Sequence, residues 1–207
     1  MIDDPRRYAP AAARNREPIL HVLRRHLPAD GLVLEVASGS GEHTVHFAAR
    51  SHPGLVFQPS DPDPDARASI DEWVRTTGLR NIRPALALDA AATEWPLDHA
   101  DVVVCINMIH IAPWAAAIGL FSGAARVLPP GGILFLYGPY RQGGRHTAES
   151  NQAFDTELRI RNPAWGVRDL EAVTELAALR GFAPPVVVPM PANNLSVVFA
   201  RQRAPGP

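Results

Sequence analysis

Gly39-Ser40-Gly41 directly follows the apolar run Val33, Leu34 and Val36, and directly precedes a segment of helical spacing over residues 42–50. Glycines at a strand-to-helix turn let the backbone bend sharply and let a ligand come close, because no Cβ intervenes. The carboxylates beside the loop restrict which ligand that is. Glu35 lies inside the strand and Glu42 follows the last glycine. A pyrophosphate is repelled by such neighbours at short range, and the third glycine of a dinucleotide fingerprint is replaced by Thr44. A cationic, phosphate-free ligand tolerates them. A glycine turn with no ligand is the competing reading of this loop taken alone.

S-adenosylmethionine carries a sulfonium, an ammonium and a ribose, and no phosphate, so it suits an acidic glycine loop. Asp61 lies about 20 residues beyond Gly41, the spacing of a carboxylate that accepts ribose hydroxyls, with Asp63 second. The plainer alternative is that Asp61 or Asp65 caps the next helix. Asp89-Ala90 ends the following apolar run, where an acidic side chain can accept from an adenine amino group or serve only a turn. His110 follows the fourth strand and is the candidate general base, since an unperturbed imidazole titrates near neutral pH. The alternative is a histidine that bonds a loop carbonyl. Tyr140, Arg145, His146, Asn151, Asn193 and Asn194 stand on loops at the same sheet edge and are candidates for an acceptor pocket. Arg145 and His146 suit a carboxylate-bearing acceptor. Trp114 and Trp165 can wall an aromatic acceptor or pack in the core. His43 and His46 are three apart with no third ligand in view, so no metal site is expected.

These side chains need a scaffold, and the chain is long enough to build one around a full core. The 207 residues hold 20 Lys and Arg against 21 Asp and Glu, a net charge of −1. No basic stripe stands out, which argues against a dedicated nucleic-acid surface. No apolar run reaches membrane-spanning length, and the opening residues lack an apolar signal core. The single Cys105 sits in the apolar run 102–106, a buried thiol that suits a reducing cytosol. Residues 11–27 form an amphipathic helical pattern with Ile19, Leu20, Leu23 and Leu27 on one face. Pro18 predicts a break near Glu17 or a helix start close to it. Strands are predicted at 32–36, 55–58, 82–88, 101–108, 133–137, 185–189 and 195–200. Helices are predicted at 42–50, 66–77, 115–128, 146–161 and 170–179, the last capped by Asp169. Pro84 marks residues 82–88 as an edge strand, and residues 138–144 read as a glycine-rich loop. The short link 190–194 makes the final strand pair antiparallel. One domain over residues 1–202 results, with a helical arm at 1–28 and a disordered tail at 203–207.

With Glu35, Gly39-x-Gly41, Asp61, Asp89 and Leu128-Pro-Pro-Gly-Gly132, the chain resembles the class I S-adenosylmethionine-dependent methyltransferases. Arg14-Asn-Arg-Glu-Pro-Ile19, Glu35-Val-Ala-Ser-Gly-Ser-Gly-Glu-His43, Gln58-Pro-Ser-Asp61, Asn107-Met-Ile-His-Ile111, Tyr137-Gly-Pro-Tyr140 and Pro191-Ala-Asn-Asn194 resemble the DUF938 group, which includes the methyltransferase-like 26 proteins. The resemblance implies an α/β, doubly wound, seven-stranded and mostly parallel Rossmann-like sheet of order 3-2-1-4-5-7-6 with strand seven reversed. It implies that Ala37, Ser38, Gly39 and Gly41 face the methionine part, that Asp61 takes the ribose and Asp89 with Ala90 the adenine. The backbone of Asn107 and Met108 would flank the sulfonium, and Arg14 and Asn15 would close over the methionine carboxylate. Ala37 replaces the usual first glycine and is accommodated if its φ stays negative. Three functions are open at this point: methylation of a small-molecule O, N or S acceptor, methylation of a protein or nucleic acid, and cofactor binding without catalysis. Monomer and homodimer are both open.

Overall fold

The computed structural model describes residues 4–203, so the expected tail lies outside the described residues except for Arg203. The elements in order are α1 (Pro10–Leu23), β1 (Asp30–Val36), α2 (Glu42–Ala48), β2 (Gly54–Ser60), α3 (Pro64–Thr77), β3 (Val102–Ile106) and α4 (Trp114–Val127). Then come β4 (Ile133–Gln142), β5 (Arg145–His146), α5 (Glu149–Arg161), β6 (Arg168–Asp169), α6 (Leu170–Leu179), β7 (Val186–Met190) and β8 (Asn194–Ala200). The main sheet runs β2-β1-β3-β4-β8-β7. Its first four strands are parallel, and β8 is antiparallel to both β4 and β7. This is the doubly wound, Rossmann-like arrangement with a terminal antiparallel pair, as expected.

The strand expected at residues 82–88 is the exception. The segment lies beside β2, where the anticipated order places it, but pairs only through isolated bridges at Phe57–Ile82 and Ser60–Leu86. Pro84 supplies no N–H, and Pro59 in β2 removes a donor from the facing edge. The ladder therefore breaks between Arg83, which donates to the Phe57 carbonyl, and Leu86, which donates to that of Pro59.

Strand side chains alternate between two cores, as the pleat requires. Val102, Val104, Phe135 and Tyr137 pack with Ile19, Leu20, Leu23 and Phe47 on the α1/α2 face. Val103, Cys105, Leu136 and Tyr140 pack with Leu120, Phe121, Val173 and Ala177 on the α4/α6 face. Two consequences correct the sequence reading. Residues 138–142 are not a loop but the continuation of β4, held by β5 and β6. Tyr137 and Tyr140, an odd number of positions apart, point to opposite faces.

Pro18 does not break α1, which runs through it. Proline cannot donate to the carbonyl four residues back, so the Arg14 carbonyl loses its helical partner. Burial of Ile19, Leu20 and Leu23 against the sheet holds the helix together despite that loss. Residues before the helix form a strap over α3. The Arg7 amide donates to Ser69 Oγ at 2.7 Å, Trp73 Nε1 to the Arg7 carbonyl at 3.1 Å, and the Ala9 amide to Glu42 Oε2 at 2.6 Å. No helix among the described residues is long and apolar enough to cross a membrane.

Candidate functional site

The carboxyl ends of β1 and β2 carry the glycine loop and Asp61. Ser38 donates its amide to the Ser60 carbonyl at 2.8 Å, tying the loop to β2. Ala37, which leads into it, has φ 57, so the condition under which alanine fits without strain is not met. The turn demands left-handed backbone there, a conformation costing roughly 1–2 kcal/mol for a residue with a Cβ. The two loop glycines do different work. A Cβ on Gly41 would meet the Ile70 backbone of α3 at 2.9 Å, so this glycine permits helix packing. A Cβ on Gly39 would stand in open space, at φ +58. Gly39 is thus a bare edge of backbone facing a volume that a ligand can fill.

Asp61 is buried, and its two oxygens are engaged on one side only. Oδ2 accepts from the Gly39 amide and Oδ1 from the Asp63 amide, each at 3.0 Å. A carboxylate has further lone pairs, so ribose hydroxyls can still be accepted. Asp61 caps no helix: Asp63 fills that role for α3, accepting from the Asp65 amide. Glu35 turns away from the loop into the protein, where Thr44 Oγ1 donates to it. Burial pushes its carboxyl up to about 7, against the hydrogen bonds from Thr44 and Ser38. Glu42 also turns away, to Ala9 and Ser40. The acidic character of the mouth therefore rests on Asp61 rather than on three carboxylates. Asp89 is exposed in a turn, accepting from the Ala91 amide at 2.8 Å, and the buried Ala90 lays its carbonyl against Gly119 of α4.

At the end of β3, Asn107 adopts φ 61, ψ −18, which asparagine tolerates better than most residues. Its amide donates to the Tyr137 carbonyl at 2.8 Å. Met108 is buried. Asn107 opens onto a cavity of about 670 Å³. One wall is a single stripe of α1, Ala11, Arg14, Asn15 and Pro18, at the spacing that shares a helix face. Opposite stand Ser150, Asn151 and Phe154 of α5. The floor is Tyr137 and Pro139 of β4, and the rim is Ile111 with Pro191, Ala192 and Asn194 of the β7–β8 turn. Asn15 Oδ1 lies 2.8 Å from His43 Nε2, which fixes the orientation of the amide. Burial raises the Tyr137 phenol, partly offset by the amides of Asn15 and Asn194. The turn itself is strained: Ala192 and Asn193 both have positive φ, and Asn151 Nδ2 clamps the Asn193 carbonyl at 2.9 Å.

Several expected pocket residues are elsewhere. His110 is fully buried on the α4/α6 face, its ring edge-on to Tyr140 with centroids 5.0 Å apart. Its Nδ1 accepts from the Arg168 amide at 3.3 Å, and its Nε2 lies so near Gly138 that a Cβ there would come within 2.5 Å. Burial drives the imidazole down to about 3, and the Arg168 charge adds to this. A neutral ring sealed from the cavity cannot receive an acceptor proton, so the general-base assignment is withdrawn. Tyr140 is sealed in the same core. Arg145 and His146 form β5, paired with residues 141 and 142 of β4, and neither lines the cavity; His146 faces Asp155 at 3.6 Å. Asn193 points its side chain to Ser150 at 3.2 Å, at the outer rim. Trp114 lies under the Arg168 guanidinium, 5.6 Å from its centroid, and Trp165 is half-buried. Asp169 stands at the N-cap position of α6, as expected, but its carboxylate pairs with Arg141 at 2.6 Å and makes no cap hydrogen bond. Cys105 is buried and burial pushes its thiol up, as a structural residue requires. Burial holds His43 down to about 4, and among the described residues no cluster of potential ligands could hold a metal ion. Tyr137, Pro18 and Ile111 are cavity residues that sequence reasoning did not select. All three lie in sequence blocks singled out for other residues, and that was the available signal.

Comparison with known proteins places this geometry in context. Residues 6–201 match the family model described as "Protein of unknown function (DUF938)". Among solved structures, an O-methyltransferase family protein from Burkholderia thailandensis superposes with TM-score 0.79 at 18% identity, covering 94% of this chain and 58% of that one. Human N-acetylserotonin methyltransferase, solved with S-adenosylmethionine, gives 0.77 at 14%, covering 93% and 53%. An O-methyltransferase family 2 protein from Planctomyces limnophilus, solved with apigenin, gives 0.76 at 19%, covering 92% and 58%. The chain thus spans a little over half the length of these proteins. At such identities the likeness establishes the class I methyltransferase fold.

Proposed function

The chain belongs to the DUF938 family, and with that membership as premise we propose that it is an S-adenosylmethionine-dependent methyltransferase acting on a small-molecule acceptor. The observation that carries this reading is the open volume over Gly39, bordered by the buried carboxylate of Asp61 at the carboxyl end of the sheet. Ligands of open α/β sheets bind at that edge. Human N-acetylserotonin methyltransferase and the Planctomyces protein, solved with S-adenosylmethionine and with apigenin, lend the analogy.

S-adenosylmethionine brings an electrophilic methyl group on a positively charged sulfur. In this reading Gly39 and its neighbours Ala37 and Ser38 hold the methionine part through backbone, Asp61 accepts the ribose hydroxyls, and Asp89 with Ala90 meets the adenine. Asn107 marks the junction where cofactor site and cavity meet. The chain's part in the chemistry is to align an acceptor there and to exclude water. Pro18, Ile111 and Phe154 supply apolar surface for that purpose, and Arg14, Asn15 and Asn194 supply polar anchors. The volume is in the usual range for a small-molecule site.

Titration calorimetry with S-adenosylmethionine, followed by mass spectrometry of a small-molecule extract incubated with the protein and the cofactor, tests the reading. Cofactor binding with a methylated product supports it. Binding without any product favours a non-catalytic cofactor-binding protein, and tighter binding of NAD or a nucleoside triphosphate overturns it.

A further inference from the structure

The cavity beside Asn107 has one charged residue in its lining, Arg14, and among the described residues its lining holds no His, Asp, Glu, Lys or Cys. Arg14 is exposed, lines the cavity and makes no ion pair among the described residues. An arginine offers a planar fork of N–H donors that matches a carboxylate. Asn15, whose Oδ1 is held by His43, is turned with its amide toward the Tyr137 phenol on the cavity floor. Tyr137 is the only other lining group with a titratable proton, and burial raises it, so it does not act as a base. Neither His43, which is spent on Asn15, nor the buried His110 is part of the lining.

From this we infer that the acceptor is a small carboxylate whose oxygen is already ionised when it binds, oriented by Arg14 and Asn15. The inference rests on the methyltransferase reading above and names its substrate class. An amine enters neutral water as an ammonium, which needs a base and meets the like charge of Arg14. An alcohol or phenol also needs a base. A carboxylate needs none. One lone pair of its oxygen forms the O–CH3 bond as the S–CH3 bond breaks, and the electron pair of that bond stays on sulfur. The carboxylate and sulfonium charges cancel, leaving a methyl ester and a neutral thioether, and no proton is released. A thiolate would also be ionised in part, but sulfur is a weak hydrogen-bond acceptor and gains less than a carboxylate from the Arg14 fork.

The test uses the arylalkanoates from benzoate to 4-phenylbutyrate as probes, against the amine, alcohol and thiol of the same skeletons. Calorimetry on the protein without cofactor should show at least one carboxylate binding about tenfold tighter than its amine or alcohol partner. Arg14→Gln should remove that preference without altering the affinity for the alcohol, and Arg14→Lys should restore part of it. With S-adenosylmethionine present, mass spectrometry should find the methyl ester, and a pH indicator should register no proton release per turnover. Methylation of the amine, alcohol or thiol instead, no turnover of any carboxylate, or carboxylate affinity unchanged in Arg14→Gln overturns the inference. Failure of S-adenosylmethionine to bind would remove the methyltransferase reading itself, whereas cofactor binding with an N- or S-methyl product removes only the carboxylate.

Discussion

Gly39 donates its backbone N–H to Asp61 Oδ2 over 3.0 Å, so the carboxylate assigned to the cofactor's ribose also holds the loop assigned to its methionine. The two halves of the cradle are joined by one side chain. Asp61→Ala should therefore weaken S-adenosylmethionine binding by about 2 kcal/mol through lost charge-assisted hydrogen bonds. It should also lower stability, because the Gly39 and Asp63 amides lose their acceptor. Calorimetry and thermal melts read the two effects separately, and unchanged affinity would discredit the assignment.

Gly39 and Gly78 form a matched pair for a second experiment. Both have positive φ, and an added Cβ meets nothing within 4 Å at either. Gly39→Ala and Gly78→Ala should therefore each cost about 1–2 kcal/mol of stability. Only Gly39→Ala should lower cofactor affinity, since Gly78 merely ends α3. Equal affinities in the two variants would mean that the space over Gly39 is not where the ligand lies.

Ala37→Gly tests the strain at the head of the loop. Relief of the left-handed backbone is worth roughly 1–2 kcal/mol, while the freer unfolded chain takes back about 0.4–1 kcal/mol. A net gain of up to about 1 kcal/mol in denaturant unfolding is expected. A loss would indicate that φ 57 is not strained in this setting.

Glu35 makes stability depend on pH in a direction opposite to that of most carboxylates. Its folded value of about 7 lies above the ordinary glutamate value of 4.5, so the fold favours the neutral acid. Stability from this group is complete below pH 4.5 and is lost as pH rises through 7. Full burial makes the difference on the order of 3 kcal/mol. Glu35→Gln should flatten that slope and raise the urea midpoint at pH 8. A wild-type protein equally stable on both sides of this window would contradict the assignment.

His110→Ala should behave as a core truncation rather than a catalytic knockout. Removing a fully buried ring beside Tyr140 should cost about 2–4 kcal/mol. Cofactor affinity, and turnover per folded molecule, should stay within about threefold, under 1 kcal/mol. A stable but inactive variant would return the ring to the chemistry.

The sheet was legible because continuous apolar runs such as Val102 to Ile106 can hardly be anything but doubly covered strands. The placement of Gly39 and Asp61 at one edge of the sheet was legible because both sit at strand ends whose positions the runs fix. The acceptor side was not. Residues 138–142 look like a glycine loop, yet tertiary pairing with β5 and β6 makes them strand, and that decides the face on which Tyr140 lies. His110 was misjudged for a related reason: proximity to a strand end says nothing about which side of the sheet a ring enters. Glu35 and Glu42 are near the loop in sequence, but their partners Thr44 and Ala9 turn them away from it. Such choices depend on contacts between segments far apart in sequence, which no local pattern records.

Residues from 11–18 and from 191–194 line the same cavity, whereas the glycine loop and every strand of the sheet but the last lie between them in sequence. The lining of the cavity is therefore complete only when the last hairpin has been synthesised, so this pocket is a late product of the chain although its first wall is among the earliest residues made.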